Sequence, residues 1–292
     1  MSTRPRWSIE GRGWPLAAHS RFVEAGGLRW HVQTMGAGPV VLLLHGTGAA
    51  THSWRDLAPR LAANFTILAP DLPGHGFTAG LPRGGLTLPA MAAAVASLVG
   101  MLGVEPALIV GHSAGAAIAI RMALDGVPAR GIVGLSPALQ PFPGIAAKVF
   151  PGLARLLFVN PLAPHILAAI ARRPGEPRRF LARSTGSHID DAGVACYARL
   201  FSNSGHVAGA IRMMADWNLA PLAAALPTLR APLLLIHGEA DAAIPTASVQ
   251  RSAADVPGAR LELLPGLGHL AHEERPDLVA AMIERFAAQV LA

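Results

Sequence analysis

Short apolar runs, each closed by Gly, Pro or His, recur along the chain. They are Val40–Gly46, Phe65–Asp71, Ala107–Ser113, Gly131–Pro137, Pro232–Gly238 and Arg260–Gly266. Most are continuous rather than alternating, which is typical of strands buried on both faces of a parallel sheet. Helix-like segments such as Trp54–Ala63 and Ala114–Leu124 lie between them, and Arg21–Gln33 predicts a hairpin that turns at Gly26-Gly27. The pattern predicts an α/β fold with a mostly parallel central sheet.

The alternation of strands and helices stops between Ser136 and about Leu229. This stretch contains helix-like pieces at Ile145–Leu157, Ala163–Arg172 and Val207–Asp216. We expect residues 137–229 to form a helical cap inserted into a core made of residues 1–136 and 230–292. Such a cap would lie over the carboxyl ends of the strands, where ligands bind in open α/β sheets.

The segment Gly84–Val104 carries no charged side chain and reaches the length of ~20 residues that a membrane span needs. It nevertheless opens with Gly-Gly-Leu-Thr-Leu-Pro, is mostly alanine in its middle and runs directly into the strand before Ser113. A buried helix from about Pro89 to Leu102 is therefore the better interpretation. The amino-terminal residues contain no apolar signal sequence, so we expect a cytoplasmic protein.

The amino-acid composition indicates which kinds of ligand or partner the protein can bind. The chain has 292 residues, of which 52% are hydrophobic and 14% charged, with a formal net charge of +6. So much apolar sequence indicates exposed apolar area, which suits an apolar ligand, a protein partner or a peripheral contact with an anionic membrane. No basic run is interleaved with aromatic residues, which argues against nucleic-acid binding. Cys196 is the single cysteine, and carboxylates do not cluster, so no disulfide, metal site or cofactor is expected.

The segment Gly111-His112-Ser113-Ala114-Gly115 fits the G-x-S-x-G turn that presents a serine at the end of a strand. A serine nucleophile needs a base, and the base needs an acid that fixes its tautomer. Asp241 and His269 follow the last two apolar runs, in the chain order Ser, acid, His. We predict Ser113 as nucleophile, His269 as base and Asp241 as acid, with Glu239 as the alternative acid. The alternative interpretation of Ser113 alone is that it caps the helix that follows it.

An oxyanion hole needs one amide after the nucleophile and one after an early strand. The run His45-Gly46-Thr47-Gly48 follows the first core strand, so we assign the donors to the N–H groups of Thr47 and Ala114. The other histidines receive structural interpretations. His112 occupies an unrestricted position, His75 packs near the site, and His165, His188 and His206 are structural or on the surface. His272-Glu273-Glu274 is expected to open the last helix, where negative charge is favourable.

Five motifs together resemble the α/β-hydrolase superfamily over nearly the full length of the chain. They are LLLHGTG, APDLPGHGFT, VGHSAGA, HGEADAAIP and LPGLGHLAHEE. The serine at position 113 differs from the aspartate that haloalkane dehalogenases and epoxide hydrolases carry there. Further stretches, including FVNPLAPHILA, STGSHIDDAGVACYARL and HVAGAIRMMADWNLAPL, resemble the magnesium-chelatase accessory family of bacteriochlorophyll biosynthesis. That resemblance implies a role near the insertion of magnesium into protoporphyrin, with magnesium chelatase as a candidate partner.

Three functions remain open at this stage. The chain is an ester-cleaving serine hydrolase in that pathway, a non-catalytic accessory protein that holds a tetrapyrrole, or a general carboxylesterase. Protoporphyrin is a large apolar disc with two carboxylates, so arginines in the cap are candidates for binding it. These arginines are Arg172, Arg173, Arg178 and Arg179. The alternative is that they are solvated charges at helix ends.

Overall fold

The computed structural model describes residues 4–141 and 160–292. The strands are β1 Ser20–Ala25, β2 Leu28–Met35, β3 Val40–Leu44, β4 Thr66–Pro70, β5 Pro106–His112, β6 Gly131–Leu135, β7 Leu233–Gly238 and β8 Arg260–Leu264. They form one eight-stranded sheet in the order β1-β2-β4-β3-β5-β6-β7-β8. Strand β2 pairs antiparallel with β1 and β4, and the other pairs are parallel. The predicted α/β fold with a mostly parallel sheet is confirmed.

Helices cover both faces of this sheet. The core helices are α1 Trp7–Glu10, α2 Leu57–Leu61, α3 Leu88–Met101, α4 Ala114–Leu124, α10 Thr246–Asp255, α11 Ala271–Glu274 and α12 Pro276–Val290. Along β3, Leu42 and Leu44 pack in the cluster that contains α3 and α4, while Val41 and Leu43 pack in the cluster that contains α2 and α12. Successive strand residues point to opposite faces, so a strand covered on both sides must be apolar at every position. This explains the continuous apolar runs.

The predicted elements of the core are close to those observed. The hairpin turns at Gly26-Gly27, where both residues have positive φ, as expected. The segment interpreted as a buried helix is α3, whose apolar residues belong to the main core cluster. Within the described ranges, no helix is long and apolar enough to cross a membrane. The predicted helix Trp54–Ala63 is shorter, since Thr51–Trp54 forms a 3₁₀ turn and α2 begins only at Leu57.

Between β6 and β7 the described residues form helices only. They are α5 Ala163–Ala171, α6 Glu176–Thr185, α7 Asp191–Phe201, α8 Ser204–Asp216 and α9 Ala220–Ala225, followed by a 3₁₀ turn. The predicted pieces Ala163–Arg172 and Val207–Asp216 correspond to α5 and α8, while the predicted helix Ile145–Leu157 lies outside the described residues. The sequence pattern did not reveal α6 and α7, whose polar and charged residues interrupt the apolar periodicity.

The expectation that His272-Glu273-Glu274 opens the last helix is wrong. These residues end the short helix α11, and α12 begins separately at Pro276 after Arg275, whose backbone is not helical (φ −137°, ψ 65°). His272 and Glu273 are buried in polar contacts with the rest of the protein. Their polar groups make tertiary contacts and do not lie at the start of α12.

The tight packing at the start of α4 yields a stability prediction. A Cβ on Gly115 would lie 2.0 Å from the Leu44 carbonyl oxygen, so Gly115→Ala must push α4 away from β3. We expect a loss of at least 1–3 kcal/mol of unfolding free energy, about the usual cost of overpacking. Chemical denaturation measures it.

Gly100→Ala is the matched control. A Cβ at Gly100, in the exposed part of α3, meets nothing within 4 Å. This substitution should stabilise the protein by about 0.5–1 kcal/mol through helix propensity. Equal stability of the Gly115→Ala and wild-type proteins would contradict the close packing described for α4.

Candidate active site

Ser113 stands between the end of β5 and the start of α4 in a left-handed backbone conformation, with φ 51° and ψ −112°. Such a φ is rare for a residue other than glycine and costs about 1–3 kcal/mol. The turn is fixed on both sides, because the Ser113 N–H donates to Leu135 O at 2.9 Å and Ser113 O accepts from Ala116 N and Ala138 N. The strained turn therefore presents Ser113 at the carboxyl edge of the sheet.

Three glycines allow this turn to form. A Cβ on Gly111 would lie 2.4 Å from the Ala116 nitrogen, and one on Gly115 would collide with the carbonyl oxygens of Leu44 and His45. Across the turn, a Cβ on Gly46 would lie 3.2 Å from Ser113 Cβ. The two glycines of the G-x-S-x-G motif thus allow α4 to start directly against the end of β3. Gly46 allows the loop that follows β3 to approach Ser113.

Asp241 and His269 are in direct contact. The His269 Nδ1–H donates to Asp241 Oδ2 at 2.7 Å, while Asp241 Oδ1 accepts from the N–H groups of Ala243 and Ile244 at 2.7 and 2.9 Å. The Asp241 side chain is fully buried, so its carboxylate keeps a single orientation toward the imidazole. Glu239, the alternative acid, is exposed, and among the described residues the ion pair of His269 is with Asp241. The geometry favours Asp241 as the acid.

Ser113 is not bonded to this pair. Among the described residues, the Ser113 hydroxyl has no hydrogen-bond partner within 3.5 Å, and neither has His269 Nε2. The neighbour of Ser113, His112, packs its ring 4.7 Å from the His269 ring, so the serine turn and the histidine loop are adjacent. Such nucleophile–base bonds are often long in free proteins and shorten when substrate binds.

The two amides assigned as oxyanion donors lie on either side of Ser113. Ala114 is the first residue of α4, and Thr47 follows Gly46 in the loop that packs against Ser113. Within the part of the chain that the structure describes, neither amide N–H has a hydrogen-bond acceptor. Both donors are therefore available to a ligand oxygen.

Residues at the junction of α6 and α7 hold the loops of Asp241 and His269. The carbonyl oxygen of Thr185, the last residue of α6, accepts from the His269 N–H at 2.8 Å and from the Ala242 N–H at 3.3 Å. Ser187 Oγ accepts from the Leu270 N–H at 2.8 Å. The helical segment between β6 and β7 therefore helps to position the loops of Asp241 and His269.

His112 is a residue whose importance the sequence did not indicate. Its Nε2–H donates to the backbone carbonyl oxygen of His269 at 3.1 Å, and its ring lies between those of His269 and His272, at 4.7 and 4.5 Å. Burial, together with the neighbouring His272 and His269, lowers the pKa of His112 well below its ordinary value. His112 is thus a neutral spacer that holds the His269 loop. Its place beside the serine in the motif is the one signal that points to it.

Further buried histidines join the loops around Ser113. His45 donates from Nδ1 to Gly46 O at 2.8 Å and accepts at Nε2 from the Leu72 N–H at 2.8 Å. His206, on α8 of the cap, accepts from the Gly76 N–H at 3.1 Å and donates to Gly48 O at 2.9 Å. Each ring needs one protonated and one free nitrogen for these bonds, so both must be neutral. His206 therefore has a specific structural role.

Glu273 belongs to a buried polar network and does not begin the last helix as expected. Its carboxylate accepts from Arg55 at 2.5 Å, from Tyr197 Oη at 2.7 Å and from Ser53 Oγ at 2.9 Å. Arg55 also pairs with Asp190 at 2.8 Å, at the start of α7. This network connects α7 and the residue before it to the core, beside the His269 loop.

The four cap arginines lie on the outer surface. Arg178 pairs with Asp191, Arg179 pairs with Glu176 at 2.6 Å, and Arg172 donates to the Ser202 carbonyl. Arg173 is exposed as well. Within the described residues, no group of three or more His, Cys, Asp or Glu side chains is arranged to hold a metal ion.

The sheet order, with Ser113 after β5, Asp241 after β7 and His269 after β8, is that of the α/β-hydrolase fold. The model of the alpha/beta hydrolase family matches residues 41–282, and the chain belongs to this family. A thermophilic esterase from Thermogutta terrifontis has the same fold, with a TM-score of 0.75, 22% identity and coverage of 92% of this chain and 99% of that one.

Two curated relatives are similar over most of their length. The magnesium-chelatase 30 kDa subunit of Rhodobacter capsulatus is 42% identical over 276 residues, which cover 92% of this chain and 95% of that protein. The pimeloyl-(acyl-carrier protein) methyl ester esterase of Aromatoleum aromaticum is 32% identical over 262 residues, covering 84% and 97% respectively.

The buried histidines predict acid sensitivity. Burial lowers the pKa from 6.5 to about 4 for His45 and to about 3 for His75, His206 and His272. Below pH 6.5 these groups gain protons in the unfolded chain but not in the folded one, so their stabilising contribution is lost as the pH falls toward the folded pKa. Each histidine should contribute a slope of up to about 1.4 kcal/mol per pH unit. Urea unfolding between pH 7.5 and pH 5 measures this slope.

A pair of variants isolates one histidine. His206→Gln should reduce the slope by up to about 1.4 kcal/mol per pH unit, whereas His165→Gln, at an exposed position on α5, should leave it unchanged. A stability that is independent of pH over this range would contradict the assignment of buried neutral rings.

Proposed function

We propose that this protein is a serine hydrolase that cleaves an ester or a related activated acyl group. The single observation that carries the proposal is the 2.7 Å bond between His269 and the buried Asp241, at the same sheet edge as the strained Ser113. A buried carboxylate fixes the imidazole tautomer with Nδ1 protonated and leaves Nε2 free to accept a proton. That is the arrangement that a serine nucleophile requires.

The proposed first half-reaction forms an acyl-enzyme. Ser113 Oγ attacks the acyl carbon while His269 Nε2 takes the hydroxyl proton. The carbonyl oxygen gains negative charge, which the unpaired N–H groups of Thr47 and Ala114 stabilise, and such donors contribute about 3–4 kcal/mol each. The intermediate then collapses, and His269 returns the proton to the leaving alcohol.

Water completes the reaction in the second half. It attacks the Ser113 ester, His269 accepts its proton, and the carboxylic acid leaves with Ser113 restored. Asp241 stays ionised throughout and stabilises the imidazolium through Nδ1. No metal or cofactor takes part in these steps.

We further propose that the biological role is that of an accessory factor in magnesium-protoporphyrin metabolism. Support comes from the 42% identity with the magnesium-chelatase 30 kDa subunit, which covers nearly all of both chains. The substrate would then be an apolar molecule, with a tetrapyrrole ester as the candidate and the chelatase as the candidate partner. The relative named as a methyl ester esterase supports the class of reaction.

A non-catalytic accessory protein that holds a tetrapyrrole is the second candidate, favoured by that same relative's designation as a chelatase subunit. A binder has no need of a strained serine beside a buried Asp–His pair, because strain of about 1–3 kcal/mol persists only where the surroundings enforce it. Hydrolysis is therefore the first candidate. If the protein does not act in the pathway of this relative, a general carboxylesterase is the next candidate.

Labelling with a fluorophosphonate probe tests the hydrolase proposal. The probe should modify the wild-type protein and Ser184→Ala, a control on the cap helix α6, but not Ser113→Ala. Turnover of a p-nitrophenyl ester should fall at least about a thousandfold in Ser113→Ala, because the nucleophile and its activation are lost together. A folded wild-type protein that neither reacts with the probe nor cleaves the ester, yet shifts the absorbance of protoporphyrin, would favour the binding candidate instead.

His112 gives a second test, as a positioning residue. His112→Phe keeps a ring beside His269 but removes the donor to its carbonyl, so kcat should fall about tenfold while KM changes little, a loss of about 1.4 kcal/mol. His112→Gln, which keeps a donor, should recover part of the rate. The matched control is His52→Phe, because the buried His52 packs on Tyr197 and contacts neither His112 nor His269. Equal effects of the two Phe variants would mean that His112 acts through stability alone.

A further inference from the structure

Large apolar side chains are exposed mainly on one part of the cap. Among the described residues, Leu162, Ile166, Leu167, Ile170 and Phe180 all expose more than a third of their surface, and they lie on or beside α5 and α6. The other exposed large apolar residues, Ile9, Leu81 and Met101, are scattered over the core domain. Exposed apolar residues are ordinary when single, but a group of this kind indicates a binding surface.

Within residues 4–141 and 160–292, helix α5 is covered on one side only. It packs on α7 and α8 and buries Ala163 and Ala168. Leu162, Ile166 and Ile170, at i, i+4 and i+8, form a stripe exposed by 62%, 53% and 36%. A helix facing solvent would carry polar residues on such a stripe. Among the residues that the structure describes, nothing covers this apolar stripe, which makes it a candidate binding surface.

The segment that carries this stripe is also rich in exposed arginine. Residues 160–191 contain five arginines, one glutamate and two aspartates, a net charge of +2. Within the described ranges, Arg173 and Arg183 have no ion-pair partner, whereas Arg178 and Arg179 are paired. Two copies of such a surface would repel each other, which argues against self-association through it.

We propose that the α5–α6 surface, defined as residues 162–183, binds the face of an anionic phospholipid bilayer. The apolar stripe would enter the boundary between head groups and acyl chains, and the arginines would meet lipid phosphates. An anionic bilayer satisfies both features at once, because it offers apolar depth and negative charge along one plane. The protein would lie on the membrane rather than cross it.

Helix α6 connects this surface to the candidate active site. Phe180 and Arg183 lie on α6, which ends at Thr185, and the Thr185 carbonyl holds the His269 and Ala242 amides. A bilayer bound to α5 and α6 would thus lie one helix away from the catalytic loops and supply an apolar substrate. This last step alone rests on the proposed hydrolase function.

Vesicle sedimentation tests the surface independently of catalysis. The full-length protein should bind vesicles of phosphatidylglycerol and phosphatidylcholine, bind pure phosphatidylcholine more weakly, and lose affinity as salt is added. Ile166→Ser and Ile170→Ser should each weaken binding about tenfold, as expected for apolar side chains that leave the interface. Arg173→Gln and Arg183→Gln should each weaken it about fivefold.

Matched controls distinguish binding through this surface from nonspecific binding to vesicles. Met101→Ser removes a side chain that is 64% exposed on α3, and Arg83→Gln removes an exposed charge of the core. Neither should change binding, and Ser113→Ala should bind vesicles like the wild type even if hydrolysis fails. Equal binding to both kinds of vesicle, equal weakening by the controls, or a dimer in solution that Ile166→Ser dissociates would overturn the proposal.

Discussion

The close approach of α4 to the end of β3 is the constraint on which the rest of the site depends. Gly115 has no room for a Cβ beside the Leu44 carbonyl, so the helix must start immediately after a left-handed Ser113. The same approach leaves the Ala114 amide at a free helix N-terminus and brings the Gly46 loop beside the serine. The backbone strain at Ser113 and the position of the candidate oxyanion donors are therefore two consequences of one packing arrangement.

Keeping histidines neutral is the second requirement of this architecture. The rings of His45, His112 and His206 hold the loops around Ser113, and each is buried so deeply that protonation is disfavoured. A second positive charge beside His269 would oppose formation of the imidazolium that the proposed reaction needs. Burial thus gives the loops rigid polar contacts without adding charge near the base.

The core and the candidate catalytic residues were largely predictable because their signals are local. Each of Ser113, Asp241 and His269 follows its own apolar strand, and a parallel sheet brings strand ends to one edge whatever the cap does. The role of His112 was not predictable, because its partner His269 is distant in sequence and the motif leaves its position unrestricted. Glu273 was misinterpreted for the same reason, since Arg55 lies 218 residues away. Helices α6 and α7 were missed because tertiary contacts, rather than an apolar period, hold them.

The inner and outer surfaces of the cap make different kinds of contact. Its inner residues, such as Thr185 and His206, satisfy backbone groups of the core loops and leave them little freedom. Its outer helix α5 instead buries two alanines and exposes isoleucine and leucine, which contributes little to the stability of the fold. Apolar side chains kept in water gain nothing from folding, because their transfer free energy is realised only on contact with another apolar phase. A sequence that places them beside unpaired arginines is therefore better explained by what the surface contacts than by what it stabilises.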